Sequence, residues 1–352
     1  MNTKTPLISV VIPCYNAERF VEQAVRSIMN QTYSNLEIIC INDGSSDNTG
    51  RILYALQEED SRIVVVENET NLKLIATLNK GVSMAKGEYI ARMDADDISH
   101  PTRIKTQIDF LEKNTVDVCG TMVNYITYEG KYHSPFPTIC TCPLSIVFVS
   151  MFDSPLMHST VIGKTSIFKQ FPYPSGDNVY VIEDYALWCK MIMHNIKMEV
   201  IPQRLLSYRR NFTGESVSRR EIQRENKVRC ARQQQENLLK HSLPKEILSC
   251  IQLDSEADVS KFIISQSLKD LDEIMTMFVK HYSPSKYEER EIKNWIIQRK
   301  LHILACFFAC GPSAIKASIM GICIINIRLF CSRTAIRNIW YGVLRIVGCM
   351  KK

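Results

Sequence analysis

Three groups of acidic residues stand where short apolar runs end, and each has the residue types for chemistry. Asp94 and Asp96, separated by Ala95 and followed by Asp97, come directly after the run Glu88–Met93. Two carboxylates at i and i+2 after a strand can point into one cavity, where their hard oxygens suit Mg2+ or Mn2+. Asn42-Asp43-Gly44-Ser45-Ser46-Asp47 follows the run Glu37–Ile41. Gly44 permits positive φ there, and Ser46 or Asp47 can cap the next helix. Glu183-Asp184 opens a later helical stretch, either complementing its dipole or supplying a general base. His158, beside Ser159 and Thr160, is a fourth candidate, although a lone histidine is more often a structural hydrogen-bonder. Each group alone also reads as an ordinary solvated turn or helix start.

The elements that position these groups follow from hydrophobic pattern. Apolar, β-branched runs at Ile8–Ile12, Glu37–Ile41, Ile63–Val66 and Glu88–Met93 alternate with helical-period stretches at Ala17–Gln31, Asp47–Glu59 and Leu74–Ala85. That alternation predicts βαβ units and a parallel sheet buried on both faces. In such sheets functional residues collect past the carboxyl ends of the strands. Those ends carry Pro13-Cys14-Tyr15-Asn16, Asn42–Asp47, Glu67-Asn68 and Asp94–Asp97, all on one edge. Further on, the pattern predicts a helix over Thr102–Lys113, an apolar strand over Val116–Val123 and a less regular stretch containing Pro135, Pro137, Pro143 and Pro155. Next come a strand at Ser159–Ile162, a loop at Phe171–Gly176, a helix at Asp184–His194 and a strand reaching Tyr208. From Glu221 onward the pattern is helical, broken near Pro244 and Pro284, with a boundary near residue 220.

Composition closes off other classes. The 352 residues are 45% hydrophobic and 23% charged, which excludes global disorder and supports a substantial core. Thirteen cysteines are scattered without zinc-finger spacing, Cys140 and Cys142 forming a lone Cys-x-Cys. The opening MNTKTPLISVVIPCYN lacks the apolar core of a secretory signal, so a cytosolic chain with reduced, buried thiols is expected. The net charge of +6 is unevenly held: residues 292–352 contain ten Lys or Arg and no acid, whereas the other 291 carry 33 basic and 37 acidic side chains. The main body is therefore not expected to bind nucleic acid, and the tail faces something anionic.

Together the runs ISVVIPCYNAERFVEQAVRSIMNQTYSNLEIICINDGSSDNT, LNKGVSMAKGEYIARMDADDISHPTRI and VIEDYALW resemble the family 2 glycosyltransferases, over about residues 7–215. The resemblance implies an α/β, GT-A (Rossmann-like) fold with a mostly parallel central sheet flanked by helices, followed here by a helical C-terminal extension. It implies a catalytic domain over 1–220, with a nucleotide-sugar-binding half at about 1–115 and an acceptor-binding half at 116–220. Pro13 and Tyr15 match positions lining the nucleoside pocket, and Asp43 matches the aspartate that hydrogen-bonds uracil. Asp94 matches the ribose-side aspartate of the DxD motif, with Ala95 beside it in the nucleotide pocket. Asp96 matches the aspartate holding a divalent metal, Mg2+ or Mn2+, against the diphosphate. Asp184 matches the catalytic base, with Glu183 and His158 placed on the acceptor side. The chain departs from the pattern at Asn42, where many members have Asp, and at Lys73, where many have Gly and where a lysine can reach the nucleotide. Asn211 replaces a histidine, and Gly163 a frequent arginine.

The implied enzyme is an inverting, metal-dependent transferase with a nucleotide-sugar donor, expected to be a UDP-sugar, and a saccharide acceptor, expected to be lipid-linked. Surface polysaccharide or lipopolysaccharide assembly is the natural setting. Residues 221–352 form the helical C-terminal region. Its last part, Thr334–Lys352, mixes Ile336, Ile339, Trp340 and Leu344 with Arg337 and Arg345 at helical spacing. This predicts a basic amphipathic helix lying on an anionic membrane surface, at the cytoplasmic face of the plasma membrane. No apolar stretch reaches the roughly twenty residues of a spanning helix. Two alternatives stay open from sequence: a soluble transferase acting on a protein or small molecule, and a nucleotide-binding scaffold without activity.

Overall fold

A computed structural model describes residues 5–135, 140–210, 219–252 and 260–310 of the chain. Four strands, β1 (Ile8–Cys14), β2 (Leu36–Asn42), β3 (Ile63–Glu67) and β4 (Tyr89–Arg92), run parallel in the order β3-β2-β1-β4. β1 and β2 are each buried at six of seven positions, so their side chains pack on both faces and their sequences read as continuous apolar runs. Between them lie α1 (Val21–Met29), α2 (Thr49–Glu59) and α3 (Leu74–Met84), whose apolar faces, such as Val21, Ala24, Val25 and Ile28 of α1, are buried.

The sheet continues past β4 with a change of direction. β5 (Ile98–Ser99) and α4 (Arg103–Lys113) precede β6 (Val118–Ile126) and β7 (Tyr132–Pro135). After α5 (Pro143–Ser150) come β8 (Ile162–Lys164), α6 (Thr165–Gln170), α7 (Glu183–Met193) and β9 (Met198–Arg209). β8 lies antiparallel between β4 and β6, β9 pairs parallel with β6, and β5 closes the order antiparallel to β9, with β7 on the other side of β6. One hydrophobic cluster, including Ile12, Val25, Ile38, Leu53, Ile104 and Cys119, runs under this sheet.

Two local expectations are corrected. The irregular proline stretch contains β7 and α5: Pro143 occupies the first helical position, where its missing N–H is not needed. The strand expected at Ser159–Ile162 begins later, because His158–Thr160 makes a 3-10 turn in which Thr160 Oγ1 donates to Met157 O at 2.7 Å.

Backbone contacts divide the chain into two units, one of residues 1–150 and 154–230, the other of 151–153 and 231–352. The described residues of the second are mainly helical: the end of α8 (Arg220–Leu239), then α9 (Lys245–Ile251), α10 (Lys261–Tyr282) and α11 (Lys286–Cys310). Leu248, Ile251, Ile274, Phe278 and Ile292 are buried, and Phe152 packs on Trp295 with ring centroids 5.2 Å apart. Among the described residues no helix is long and apolar enough to cross a membrane. The amphipathic helix expected at 334–352 and Asn211 lie outside the described residues.

Candidate active site

The parallel register sets Cys14 beside Asn42 and Asn42 beside Glu67, so the turns after β1, β2 and β3 meet at one edge. Asn16, at φ 46°, ties two of them together: its backbone N–H donates to Ser45 Oγ at 3.0 Å and its Oδ1 accepts from Ser46 N at 2.9 Å. Gly44 sits at φ 67°, where a Cβ would come within 2.6 Å of the Thr70 carbonyl carbon, so only glycine fits. Pro13 is half-buried at this edge, and Tyr15 is 51% exposed, presenting its ring to solvent.

Asp43 is 3% exposed, and its Oδ1 accepts from Asn68 Nδ2 at 2.7 Å and from Leu72 N at 2.9 Å. Asn42 donates from Nδ2 to Glu67 Oε2 at 2.7 Å. An aspartate in its place would set two carboxylates against each other, which accounts for the departure from the family pattern.

Lys73 is exposed at the start of α3 with φ 73° and ψ 159°, a region almost reserved for glycine. The glycine that the family resemblance leads one to expect here is thus the residue this backbone favours. Lys73→Gly should stabilise the fold by about 1 kcal/mol, readable as a higher thermal midpoint. If the ammonium also reaches a bound nucleotide, the same variant binds that nucleotide more weakly. A lowered midpoint would mean that the lysine side chain outweighs the strain.

Gly163 is excluded from bearing an arginine for a different reason. On β8 its Cβ would approach Val118 Cγ2 to 2.9 Å and Phe168 Cε2 to 3.0 Å.

Asp94, Asp96 and Asp97 place ligand oxygens within 4.8 Å of one another, but their surroundings differ. Asp94 is clamped by Arg92, which is 3% exposed, through Nη1–Oδ2 and Nη2–Oδ1 contacts of 2.5 Å each. Ser159 Oγ accepts from Asp94 N at 2.8 Å and donates to its Oδ2 at 3.2 Å. Asp97 is buried, and its Oδ1 accepts from Arg209 N at 2.8 Å. Burial pushes the Asp97 carboxyl well above the usual range, and the Asp94 and Asp96 charges add to this. Asp96 is pushed up to about 6 by burial and by Asp94. Among the described residues its carboxylate accepts only from its own backbone N–H, so it is the member most available to a ligand. Burial and mutual repulsion hold these carboxyls toward their neutral forms despite Arg92 and Arg209, a state that a divalent cation would relieve, and hard oxygens fit Mg2+ or Mn2+. Ala95, between them, is 8% exposed.

Arg209, at the end of β9, holds this turn in place. Its Nε donates to Asp96 O at 2.7 Å, Nη1 to Tyr128 O at 2.7 Å and Nη2 to Gln23 Oε1 at 2.9 Å, while its guanidinium covers the Phe20 ring at 4.7 Å.

Glu183 and Asp184 occupy the first turn of α7. The helix is anchored by buried Tyr185, whose hydroxyl donates to Ser150 O at 2.7 Å, and by fully buried Trp188. Asp184 is partly exposed; its Oδ1 accepts from Tyr185 N at 2.7 Å and its Oδ2 from Ser154 Oγ at 3.3 Å. Burial raises its carboxyl, against opposing effects of the Tyr185 N–H and the Lys227 and Arg92 charges. The loop delivering the pair is strained at Val181, φ 59°, an unusual angle for a β-branched residue. α8 fastens that loop: Gln223 Nε2 donates to Val181 O at 3.1 Å, and Asn226 Nδ2 to Asp177 O at 2.8 Å and Tyr180 O at 3.1 Å. Sequence reasoning missed Arg92, Arg209, Gln223 and Asn226; none belongs to an acidic motif.

Glu183 is buried and pushed up to about 7, by burial first and then by the Asp184 charge. The folded chain therefore holds this proton more tightly than the unfolded chain. Its contribution to stability falls as pH rises from about 4.5 to 7 and stays low above that. At 1.36 kcal/mol per unit, the penalty at pH 8 is on the order of 3 kcal/mol. Glu183→Gln should accordingly melt higher than the native chain at pH 8 and nearly equal it at pH 4. A stability difference that does not change with pH would contradict this reading.

His158 Nε2 lies 2.8 Å from Tyr173 Oη, and its ring meets the Trp188 ring edge-on at 6.0 Å. Burial, with the Arg92 charge, keeps the imidazole well below its usual range, hence neutral. Asn79 fixes Tyr173 by donating to its carbonyl at 3.0 Å and accepting from its N–H at 2.9 Å. The structure thus places His158 in a packed aromatic cluster. Cys14, Cys40, Cys119, Cys140, Cys142, Cys189, Cys230 and Cys250 form no disulfide, and Cys140 and Cys142 belong to no metal cluster among the described residues.

Residues 9–172 match the model of the family described as Glycosyl transferase family 2. An uncharacterised glycosyltransferase of Haemophilus influenzae is 35% identical over 212 residues, 58% of this chain and 65% of its own length. One of Methanocaldococcus jannaschii is 31% identical over 207 residues, 58% of this chain and 71% of its own. The matched stretch therefore spans just under two thirds of the first relative. Among solved structures, S. aureus TarS in complex with UDP-GlcNAc covers 83% of this chain and 89% of its own, with a TM-score of 0.55 at 19% identity. The mannosyltransferase PcManGT from Pyrobaculum calidifontis, in complex with GDP-Man and Mn2+, covers 98% and 85%, with a TM-score of 0.53 at 14% identity. At these identities the structural likeness concerns the fold, a mostly parallel sheet flanked by helices.

Proposed function

Because the chain belongs to the family 2 glycosyltransferases, we propose that it transfers a sugar, with inversion, from a UDP-sugar to the hydroxyl of a saccharide acceptor. The observation that carries this reading is electrostatic. The buried Arg92 guanidinium that clamps Asp94 also favours the ionised forms of Asp96, Glu183 and Asp184, which supports reading the turn after β4 and the start of α7 as parts of one site.

On this reading Pro13, Tyr15 and Asp43 receive the nucleoside, and Asp94 the ribose, with Ala95 beside it. Asp96 would hold Mg2+ or Mn2+, which when bound neutralises charge developing on the diphosphate. Asp184 accepts the proton of the acceptor hydroxyl as that oxygen bonds to the anomeric carbon. The bond from this carbon to the diphosphate breaks, and the electron pair leaves with the nucleoside diphosphate. Attack from the opposite face inverts the anomeric centre. Burial raises the Asp184 carboxyl, which strengthens it as a base toward a hydroxyl. The catalytic domain is assigned to residues 1–220, with donor and acceptor halves meeting near residue 115.

The acceptor proposed is lipid-linked, in surface polysaccharide or lipopolysaccharide assembly, with the protein peripheral on the cytoplasmic membrane face. What supports this is the acid-free, basic C-terminal sequence, where each cation near an anionic surface contributes about 1 kcal/mol. Screening nucleotide sugars for hydrolysis with and without Mn2+ tests the donor reading, which expects Mn2+-dependent release of UDP. Flotation with anionic and zwitterionic vesicles tests the membrane reading, which expects salt-sensitive binding to the anionic ones. No hydrolysis of any donor would count against the first, and equal flotation with both lipids against the second.

A further inference from the structure

Lys80, on α3, points its ammonium at the amide of buried Asn68: Nζ donates to Asn68 Oδ1 at 2.5 Å and to Glu67 O at 3.4 Å. An ammonium only donates, so it holds the carbonyl end of this amide and leaves the NH2 end facing the other way. There Nδ2 lies 2.7 Å from Asp43 Oδ1, with Thr77 Oγ1 at 3.5 Å. The Leu72 backbone N–H reaches the same Asp43 oxygen at 2.9 Å. Two donors occupy both lone pairs of Oδ1. Among the described residues, no donor engages Oδ2.

We propose that Lys80 and Asn68 set the base selectivity of the donor pocket by committing one oxygen of Asp43 and leaving a single acceptor for the base. This rests on the nucleotide-sugar reading above and concerns which nucleotide that site takes. Uracil offers one ring N–H on its pairing edge, which a single carboxylate oxygen satisfies. Guanine offers two adjacent N–H donors, one on the ring and one on its amino group, and pairs with a carboxylate through both oxygens. With Oδ1 already occupied, one guanine donor would be desolvated without an acceptor, a penalty that rejects the wrong ligand more strongly than lost packing does. Cytosine and adenine place a ring-nitrogen lone pair beside their amino group, against the carboxylate charge. Selection for a uracil base therefore depends on two residues outside every acidic motif of the chain.

The test compares binding of UDP and of GDP, each with Mn2+, to the full chain and to Lys80→Met and Asn68→Ala, by calorimetry. The native chain is expected to bind UDP at least about tenfold more tightly than GDP. Removing the Asn68 amide, or freeing it to turn by removing the Lys80 ammonium, should lower that ratio at least fivefold, because Oδ1 then becomes available to guanine. Lys80→Met keeps the aliphatic stem and serves if Asn68→Ala does not fold. A change of ratio is the informative readout, since a merely structural defect weakens both nucleotides alike. A ratio unchanged in both variants overturns the proposal. So does a native preference for GDP, although Mn2+-dependent GDP binding leaves the glycosyltransferase reading standing. Failure to bind either nucleotide overturns both.

Discussion

Asp184→Asn should lower sugar transfer by about 10² or more while leaving UDP and metal binding nearly intact. The substitution keeps the shape and the hydrogen bond from Tyr185 N, but removes the group that takes the acceptor proton. The distinction between binding and turnover is what matters. Calorimetry should give UDP affinities within a few-fold of native, and single-turnover assays should show the loss in the chemical step. If UDP binding is lost and bound donor turns over normally, Asp184 belongs to the donor pocket and not to the acceptor side. Because Glu183 is raised to about 7 beside it, the native pH profile should be set partly by this pair, and the variant's profile should differ in shape as well as height.

Asp96→Asn acts on the other half of the reaction. Asp96 is the acid of its cluster whose carboxylate is neither clamped by Arg92, as Asp94 is, nor bound by the Arg209 N–H, as Asp97 is. Removing its charge should reduce transfer by on the order of 10³, the scale for loss of a group stabilising transition-state charge. Metal-dependent UDP binding should weaken with it. The fold should survive, since Asp96 is raised to about 6 and its burial as an anion is unfavourable. Asp94→Asn should instead disturb the Arg92 clamp and with it the position of the whole turn. Full activity of Asp96→Asn, or of native protein in excess chelator, would contradict the metal role.

The parallel half of the sheet was legible because its strands are buried on both faces, which writes them as unbroken apolar runs such as ISVVIPC and LEIICIN. The acidic groups were legible because carboxylates directly after such runs are conspicuous. What holds those carboxylates was not. Arg209 meets Asp97 across 112 positions of sequence, a meeting that exists only because β9 and β5 pair in the sheet. Arg92 reads in sequence as the polar end of a strand, and its clamp on Asp94 needs the turn that brings position 94 back over it. The antiparallel insertion of β8 between β4 and β6 leaves no periodic mark in three residues. Pro143 misleads because proline ends helices more visibly than it begins them. Lys73 shows the same limit at one residue: its type suggests a ligand contact, whereas its position is defined by a backbone angle that suits glycine.

The central claim is that a divalent cation and a uridine diphosphate are held together at the turn carrying Asp96. Electron paramagnetic resonance of Mn2+ tests it most directly, because the sharp signal of the aqueous ion is lost when the ion is bound. Adding protein and UDP together should remove this signal to one ion per chain, more completely than either component alone, and Asp96→Asn should restore most of it. An aqueous Mn2+ signal unaffected by the protein–UDP mixture, with UDP binding equally well in chelator, would contradict the account.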